Sequence, residues 1–310
     1  MEAVSIESDR KFLLFCLLVA SLFILTSVYF RFEFGTPVYG NDHLSHLMMA
    51  RGQGKPSDSI YPLFYRTLSA PFSFSPNTYY AFSILFLCVV LPFFLYFLLD
   101  RDWLVSLFVF STGMVFLTEL GGAYPQAVMG VMLIVLLLKR NIWFRLFLLM
   151  FAFFVHDKGF YLLACAWLVS DAWLFVLPKL RFLSLGFFGF FDEIKVRGFA
   201  SVGNRSFGDL ARFFSKGFNV LLVPFAVLGF VKEGRTDFVA VALVLLVAGF
   251  LIHSRVWWIV CLLGVVGLRF FVKHFPGWRF RVGGLCVFLL VFNSWWWLSA
   301  KLVALEEILA

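Results

Sequence analysis

The chain has 310 residues, of which 62% are hydrophobic and only 14% are charged, and its mean hydropathy is +0.93. A water-soluble domain does not need this much apolar surface, so the composition excludes an ordinary soluble protein and predicts an integral membrane protein. The net charge of +8 comes from basic residues scattered in short loops between apolar runs. That distribution predicts membrane orientation signals and argues against nucleic-acid binding.

The apolar runs predict an all-α fold: one polytopic transmembrane domain over residues 1–310, with ten or eleven membrane-spanning helices. Arg10 and Lys11 flank the first run, which lacks a small-residue cleavage site, so we interpret it as a retained helix and not a signal peptide. A short run at 182–191 is either an eleventh crossing or a re-entrant segment. All five cysteines lie inside apolar runs without CxxC spacing, which predicts neither disulfides nor zinc. The ten clearest runs are 12–30, 78–99, 103–119, 124–138, 142–155, 160–177, 218–231, 237–252, 256–272 and 282–299.

Basic residues in alternate loops predict the orientation of the chain in the cell membrane. With a cytoplasmic N-terminus, the short and densely basic loops share one side, as the positive-inside rule requires, provided that 182–191 is a crossing. Those loops contain Arg101, Lys139, Arg140, Arg145, Lys179, Arg181, Lys232, Arg235, Lys273, Arg279 and Arg281. Nearly every residue type capable of chemistry then falls on the extracytoplasmic face, in loops 31–77, 121–126, 156–159, 192–217 and 253–255. This sorting is the strongest functional indication in the sequence.

The first outer loop, residues 31–77, contains the clearest polar cluster. Gly40 and Asn41 break the preceding helix, and Asp42 stands where the N-cap of an amphipathic stretch from His43 to Arg51 would be. On a helix, His46 shares a face with both Asp42 and His43. The alternative is a capping aspartate with two interfacial histidines. Asp42, His43 and His46 could also hold a divalent metal, and the sequence establishes no cofactor.

The second part of the same loop is rich in aromatic residues. Pro62 predicts the start of another short helix, and Tyr61, Tyr65 and Arg66 could line a pocket. An aromatic belt at the membrane surface would explain these residues equally well.

A first membrane helix, an outer loop with the Asp-x-x-x-His element of Asp42 and His46, and a Tyr-Pro-rich element before the second span together resemble the GT-C superfamily of integral-membrane glycosyltransferases. That superfamily includes oligosaccharyltransferase catalytic subunits and protein O-mannosyltransferases. The resemblance is firmest over residues 1–100, and it implies that Asp42 is catalytic. It also implies a sugar donor carried on a polyprenyl phosphate or pyrophosphate at the outer face.

The chain departs from many members of that superfamily in two respects. Glu119 and Asp157 are its only candidates for a second acidic motif, and we expect no soluble C-terminal domain within these 310 residues. A peptide acceptor like that of oligosaccharyltransferase is therefore not favoured, and the acceptor could be a glycan, a lipid or a protein.

Two further outer turns carry ionisable residues close to the hydrocarbon, where such residues tend to be functional. Lys158 could neutralise a donor phosphate, His156 could orient it or move a proton, and Arg255 could meet phosphate oxygens. A plain polar helix turn and snorkelling at the interface are the alternatives. Asp171 falls at the inner end of its span and is expected to serve structure. Residues 192–217 form a second outer loop, whose Phe207, Leu210, Phe213 and Phe214 predict an interfacial helix.

The sequence thus predicts a glycosyltransferase that takes a sugar from a polyprenyl-phosphate donor at the extracytoplasmic face. Asp42 would act as general base, and Lys158 and Arg255 would stabilise the departing phosphate. An inverting displacement is the simplest mechanism, because no second carboxylate stands out as a nucleophile. The alternative is a non-catalytic relative, or a transporter of a lipid-linked saccharide.

Overall fold

The computed structural model describes residues 2–34, 47–48, 50–52, 67–111, 124–155, 159–176, 220–251 and 256–292. Throughout these ranges the regular structure is helical and contains no strand, which confirms the predicted all-α class. The helices are α1 (Glu2–Phe34), α2 (Pro76–Leu98), α3 (Leu104–Ser111), α4 (Tyr124–Leu138), α5 (Ile142–Val155), α6 (Gly159–Asp171), α7 (Val223–Lys232), α8 (Thr236–Leu251), α9 (Val256–His274) and α10 (279–292).

Length and composition separate one helix from the others. Within the described ranges, only α2 is by itself long and apolar enough to cross a membrane. The adjoining pieces Ile259–His274 and Pro276–Phe292 meet the same requirement only when they are counted together, and five further apolar helices have 10 to 17 residues. The predicted ten or eleven crossings, and with them the membrane orientation, therefore stay predictions.

The chain forms two compact units. The first comprises Met1–Val128 and Phe275–Ala310, and the second comprises Met129–His274. The division into two units does not test the expected single transmembrane domain over 1–310, which stays a prediction.

In the first unit, α1 and α2 pack in opposite directions. Phe12 and Cys16 of α1 contact Tyr96 near the end of α2, and the rings of Phe12 and Tyr96 stack with centroids 4.1 Å apart. Ala20, further along α1, packs with Ile84 near the start of α2. Aromatic stacking and burial of apolar surface hold this pair together.

Helix α2 stays continuous through Pro92 because a π-helical turn precedes that residue. Proline has no N–H and its ring clashes with the preceding turn of an α-helix. The turn Phe86–Val90 widens the backbone, and the N–H of Leu91 reaches the carbonyl of Phe86 instead. At the other end, Ser75 caps α2: its hydroxyl accepts a hydrogen bond from the backbone N–H of Thr78 at 3.1 Å, and Pro76 occupies the first turn.

In the second unit, α7 and α9 pack closely through two glycines. A Cβ added at Gly229 would collide with the carbonyl oxygen of Gly267, and one added at Gly267 would lie 2.6 Å from the carbonyl oxygen of Ala226. No side chain fits between the two backbones there. Helix α8 packs on both α9 and α6, and α5 packs on α6.

Candidate functional site

The residues that the sequence nominates for chemistry all lie outside the described part of the chain. Their roles as base, phosphate ligand, pocket residue, second acid or metal ligand therefore stay predictions. They are Asp42, His43, His46, Tyr61, Arg66, Glu119, His156, Asp157, Lys158 and Arg255. The 192–217 segment also lies outside the described ranges. The helices that lead into these segments are described, and their ends can be assigned.

Two arginines cover the C-terminal end of α4. The Nε of Arg145 donates to the carbonyl oxygens of Leu136 and Lys139, both at 3.0 Å, and Nη2 of Arg235 donates to that of Leu137 at 2.7 Å. The last carbonyls of a helix have no partner within the helix and form the negative end of its dipole. The two guanidinium groups donate hydrogen bonds to these carbonyls and place positive charge at the negative end of the dipole.

Each arginine is paired with an aspartate. Arg145 donates through Nη1 to both oxygens of Asp171, at 3.0 and 3.2 Å, and Arg235 contacts both oxygens of Asp237, at 2.9 and 3.0 Å. Trp167 donates to Asp171 at 2.5 Å, and the Ser170 hydroxyl donates to Asp237 at 2.9 Å. Every carboxylate oxygen of the two aspartates thus accepts at least one hydrogen bond. We call these six residues the paired cluster.

Burial makes the paired cluster structural. Asp237 is fully buried, and the side chain of Arg145 is only 4% exposed. A buried charge is tolerated when it has an opposite charge and good hydrogen bonds, as both groups do here. Carboxylates that are already committed to guanidinium donors are poor general bases, so this cluster fixes helix ends. The expected structural role of Asp171 agrees with its contacts.

A second charged group lies at the same end of this unit, in the turn between α7 and α8. Glu233 accepts from Nζ of Lys273 at 2.6 Å and contacts Nε2 of His274 at 2.5 Å. Partial burial would raise the pKa of the Glu233 carboxyl, but the hydrogen bonds and charges of Lys273 and His274 outweigh it and hold that pKa below its ordinary value. We call these three residues the exposed triad.

The two groups together mark one end of the second unit. They join the C-terminal ends of α4, α6, α7 and α9 to the N-terminal ends of α5 and α8. Val155 and Gly159, the described residues on either side of 156–158, therefore lie at the opposite end, as do Leu251 and Val256 on either side of 252–255. A 14-residue helix such as α5 separates its two ends by about 21 Å.

Gly159 permits a close approach at that opposite end. A Cβ at this position would lie 2.6 Å from the carbonyl oxygen of Ala152 in α5. Glycine is therefore required directly after the predicted phosphate ligand Lys158.

The first unit has its own charged end. Asp9 accepts from the Tyr96 hydroxyl at 2.8 Å, and Asp102 accepts from Arg279 at 2.8 and 3.2 Å. Asp102 also accepts from the backbone N–H of Leu104 at 3.0 Å. These contacts join the start of α1 to the end of α2 and the start of α3. Phe34 and Pro76, which flank the loop containing Asp42, lie at the other end of this unit.

Part of the first outer loop is described and is anchored. Residues 47, 48 and 50 are helical, with Leu47 and Ala50 buried and Met48 exposed, as an amphipathic stretch requires. Arg51 donates through Nε to the carbonyl oxygen of Ser73 at 2.5 Å and through Nη2 to that of Phe74 at 2.9 Å. The segment just after His46 is thereby fastened to the residues that precede α2.

The basic loops predict only membrane orientation for Arg145, Arg235, Lys273 and Arg279, whereas the structure pairs each of them with an acidic side chain. A usable signal existed, because Asp102, Glu233 and Asp237 each lie within a basic loop or at the adjoining helix start. An acid at the same depth as an arginine predicts a pair.

Among the described residues, no group of three or more His, Cys, Asp or Glu side chains could hold a metal ion, and the predicted metal ligands are outside those residues. No family model, no curated protein and no solved structure matches this chain. The case for a function therefore rests on the residues and on the arrangement of the helices.

Proposed function

We propose that this chain is a polytopic membrane glycosyltransferase of GT-C-like architecture. It transfers a sugar from a polyprenyl-phosphate donor to an acceptor at the extracytoplasmic face. The supporting observation is the division of charge between helix ends. In each unit, charged side chains pair with one another at one end, whereas the segments that carry Asp42, Lys158 and Arg255 connect the opposite ends.

The side-chain distribution on α5 supports the membrane part of the proposal. Its one charged residue, Arg145, is turned inward, while Trp143 is 77% exposed and Met150 is 63% exposed. In water such an arrangement would leave a large apolar surface without a partner. In a bilayer the same surface faces hydrocarbon at no cost.

The proposed chemistry uses a base and a cationic surface for phosphate. Asp42 takes the proton from an acceptor hydroxyl as that oxygen bonds to the anomeric carbon of the donor sugar. The bond between this carbon and the phosphate oxygen breaks, and its electron pair leaves with the phosphate. Lys158 and Arg255 balance the developing negative charge, and the polyprenyl tail confines the donor to the membrane surface. General-base assistance of this kind contributes about 10²- to 10⁴-fold in rate.

Replacing the base tests the proposal. We expect Asp42→Asn to abolish the sugar modification that distinguishes cells with the gene from cells without it, as measured by mass spectrometry of their glycans and glycolipids. Membranes that carry the variant should still bind a polyprenyl-phosphate sugar. Glu7→Gln is the matched control, because it makes the same chemical change at an exposed carboxylate.

One outcome would contradict the catalytic assignment, and another would invalidate the assay. An unchanged glycan profile in the Asp42→Asn variant would support a transporter or a non-catalytic protein, which needs the cationic groups but no base. A loss of modification in the Glu7→Gln control would show that the assay reports expression and not chemistry.

A further inference from the structure

The outward face of α5 contains the three most exposed large apolar side chains of that helix. Trp143, Phe147, Met150 and Phe154 follow one another at spacings of four, three and four residues, which places them in a single stripe. Trp143 is 77% exposed, and Phe147 and Met150 are 62% and 63% exposed. The opposite side of α5, with Arg145, Leu148 and Ala152, is buried. The stripe runs about 17 Å along the helix.

The residues on this stripe are large, which argues against another helix as its neighbour. Contacts between membrane helices are enriched in small residues, and this chain has such residues where Gly229 of α7 meets Gly267 of α9 and where Cys16 and Ala20 of α1 meet α2. The stripe has no glycine, alanine or serine. The one alanine of α5 within its last turns, Ala152, is buried on the other side. The large aromatic and flexible side chains of the stripe can pack against disordered acyl chains of lipids.

Two cationic side chains lie next to the N-terminal end of the stripe. Lys139, Arg140 and Asn141 form the short connection between α4 and α5, and the side chains of Lys139 and Arg140 are both exposed. In the described part of the chain, no carboxylate pairs with either side chain, whereas the neighbouring Arg145 and Arg235 are both matched by aspartates. The N-terminal end of α5 adds a partial positive charge at the same place.

We infer that the Lys139–Arg140 connection and the α5 stripe bind an anionic phospholipid, with its phosphate on the two cations and its acyl chains along Trp143, Phe147, Met150 and Phe154. Trp143 lies one turn beyond Arg140, at the level where indole rings mark the boundary between headgroups and hydrocarbon. The inference rests on the membrane placement in the proposed function and is independent of the role of Asp42.

Fluorescence quenching by brominated lipids tests both parts of this site. The full chain is reconstituted in vesicles of phosphatidylcholine that contain a small fraction of brominated phosphatidylglycerol or, separately, brominated phosphatidylcholine. The fluorescence of Trp143 is obtained by subtracting the emission of the Trp143→Phe variant from that of the unaltered chain. We expect quenching of this contribution by both lipids, with a preference of roughly ten- to thirtyfold for phosphatidylglycerol, as two cations near an anionic headgroup would give.

A double variant distinguishes headgroup binding by Lys139 and Arg140 from the general attraction of anionic lipid to a basic protein. Lys139→Ala with Arg140→Ala should abolish the headgroup preference while the quenching itself persists. Arg10→Ala with Lys232→Ala is the matched control, because it removes the same charge from two other exposed positions and should leave the preference intact. All four replaced side chains are exposed, so we expect these variants to fold.

Three results would overturn the inference: no quenching of the Trp143 contribution by either lipid, equal quenching by both lipids in the unaltered chain, or equal loss of preference in the two double variants. The first would mean that protein covers the stripe. The Asp42→Asn variant should retain the preference, so a failure of the glycosyltransferase proposal and a failure of the lipid site are distinguishable.

Discussion

The paired cluster and the exposed triad lie at the same end of the second unit, but they hold their charges in different surroundings. Asp237 is fully buried and meets Arg235 and Ser170, whereas Lys273 of the triad is 48% exposed. Water screens the triad and would solvate any member left alone. It cannot do so for Arg145 and Asp237 of the cluster, whose side chains are 4% and 0% exposed. We therefore expect the effect of removing one charge to depend on the burial of its partner and not on how short the contact is.

The largest expected effect is in the cluster. Replacing Asp237 with alanine leaves the Arg235 guanidinium, 14% exposed, without its carboxylate, and the Ser170 hydroxyl without its acceptor. We expect a loss of about 3–5 kcal/mol in the free energy of unfolding, because one partner of a buried pair then remains uncompensated. Chemical denaturation of the detergent-solubilised protein measures this loss. A loss no larger than that found for the triad would show that burial does not decide the size of the effect.

A smaller effect within the same cluster tests its hydrogen bonds apart from its charges. Trp167→Phe removes the N–H that donates to Asp171 but keeps an aromatic ring beneath Arg145, whose guanidinium carbon lies 5.5 Å from the ring centroid. We expect a loss of about 1.5–3 kcal/mol, the value for a hydrogen bond to a charged group. The same denaturation experiment applies, with Trp143→Phe as the matched control, because the Trp143 ring is exposed. Equal losses in the two variants would show that the Trp167 contact contributes nothing.

The smallest effect is expected in the triad and depends on pH. Glu233→Gln should cost under about 1 kcal/mol near neutral pH, since the side chains of its partners Lys273 and His274 are 48% and 34% exposed. The pKa of Glu233 is lower in the folded protein than its ordinary value of 4.5, so its contribution is fully present above pH 4.5 and is lost as the pH falls through the folded pKa. The stability difference between the two proteins should therefore disappear in acid. A difference that grows below pH 4.5 would contradict this sign.

Some helix positions follow well from local sequence in this chain, although α1 begins ten residues before the predicted 12–30 segment. The predicted segments 124–138 and 142–155 coincide with α4 and α5, and 237–252 differs from α8 by one residue at each end. Apolar runs bounded by Lys139, Arg140 and Asn141 show where helices stop, because each boundary depends only on neighbouring residues. The side chain of Asn141 caps α5 by accepting from the N–H of Phe144 at 3.1 Å.

The candidate site was predictable only in part. Residue type and loop position predict Asp42 as the general base and Lys158 and Arg255 as phosphate ligands, and these roles stay predictions. The structure adds that the helices beside 156–158 and 252–255 reach one end of the second unit. Sequence alone did not reveal that Arg51 anchors the first outer loop to Ser73 and Phe74, because that contact joins residues more than twenty positions apart.

By itself, the sequence determined the all-α class, the boundaries of α4 and α5 and the excess of apolar residues, all of which arise from composition and short-range pattern. Only the tertiary structure decided that Arg145 meets Asp171, that Arg235 reaches the carbonyl of Leu137 across 98 positions, and that Gly229 faces Gly267. The physical reason is that such contacts depend on which helices pack and in which direction. Packing turned Arg145 inward and left the aromatic side of α5 outside, although both lie within one run of fourteen residues.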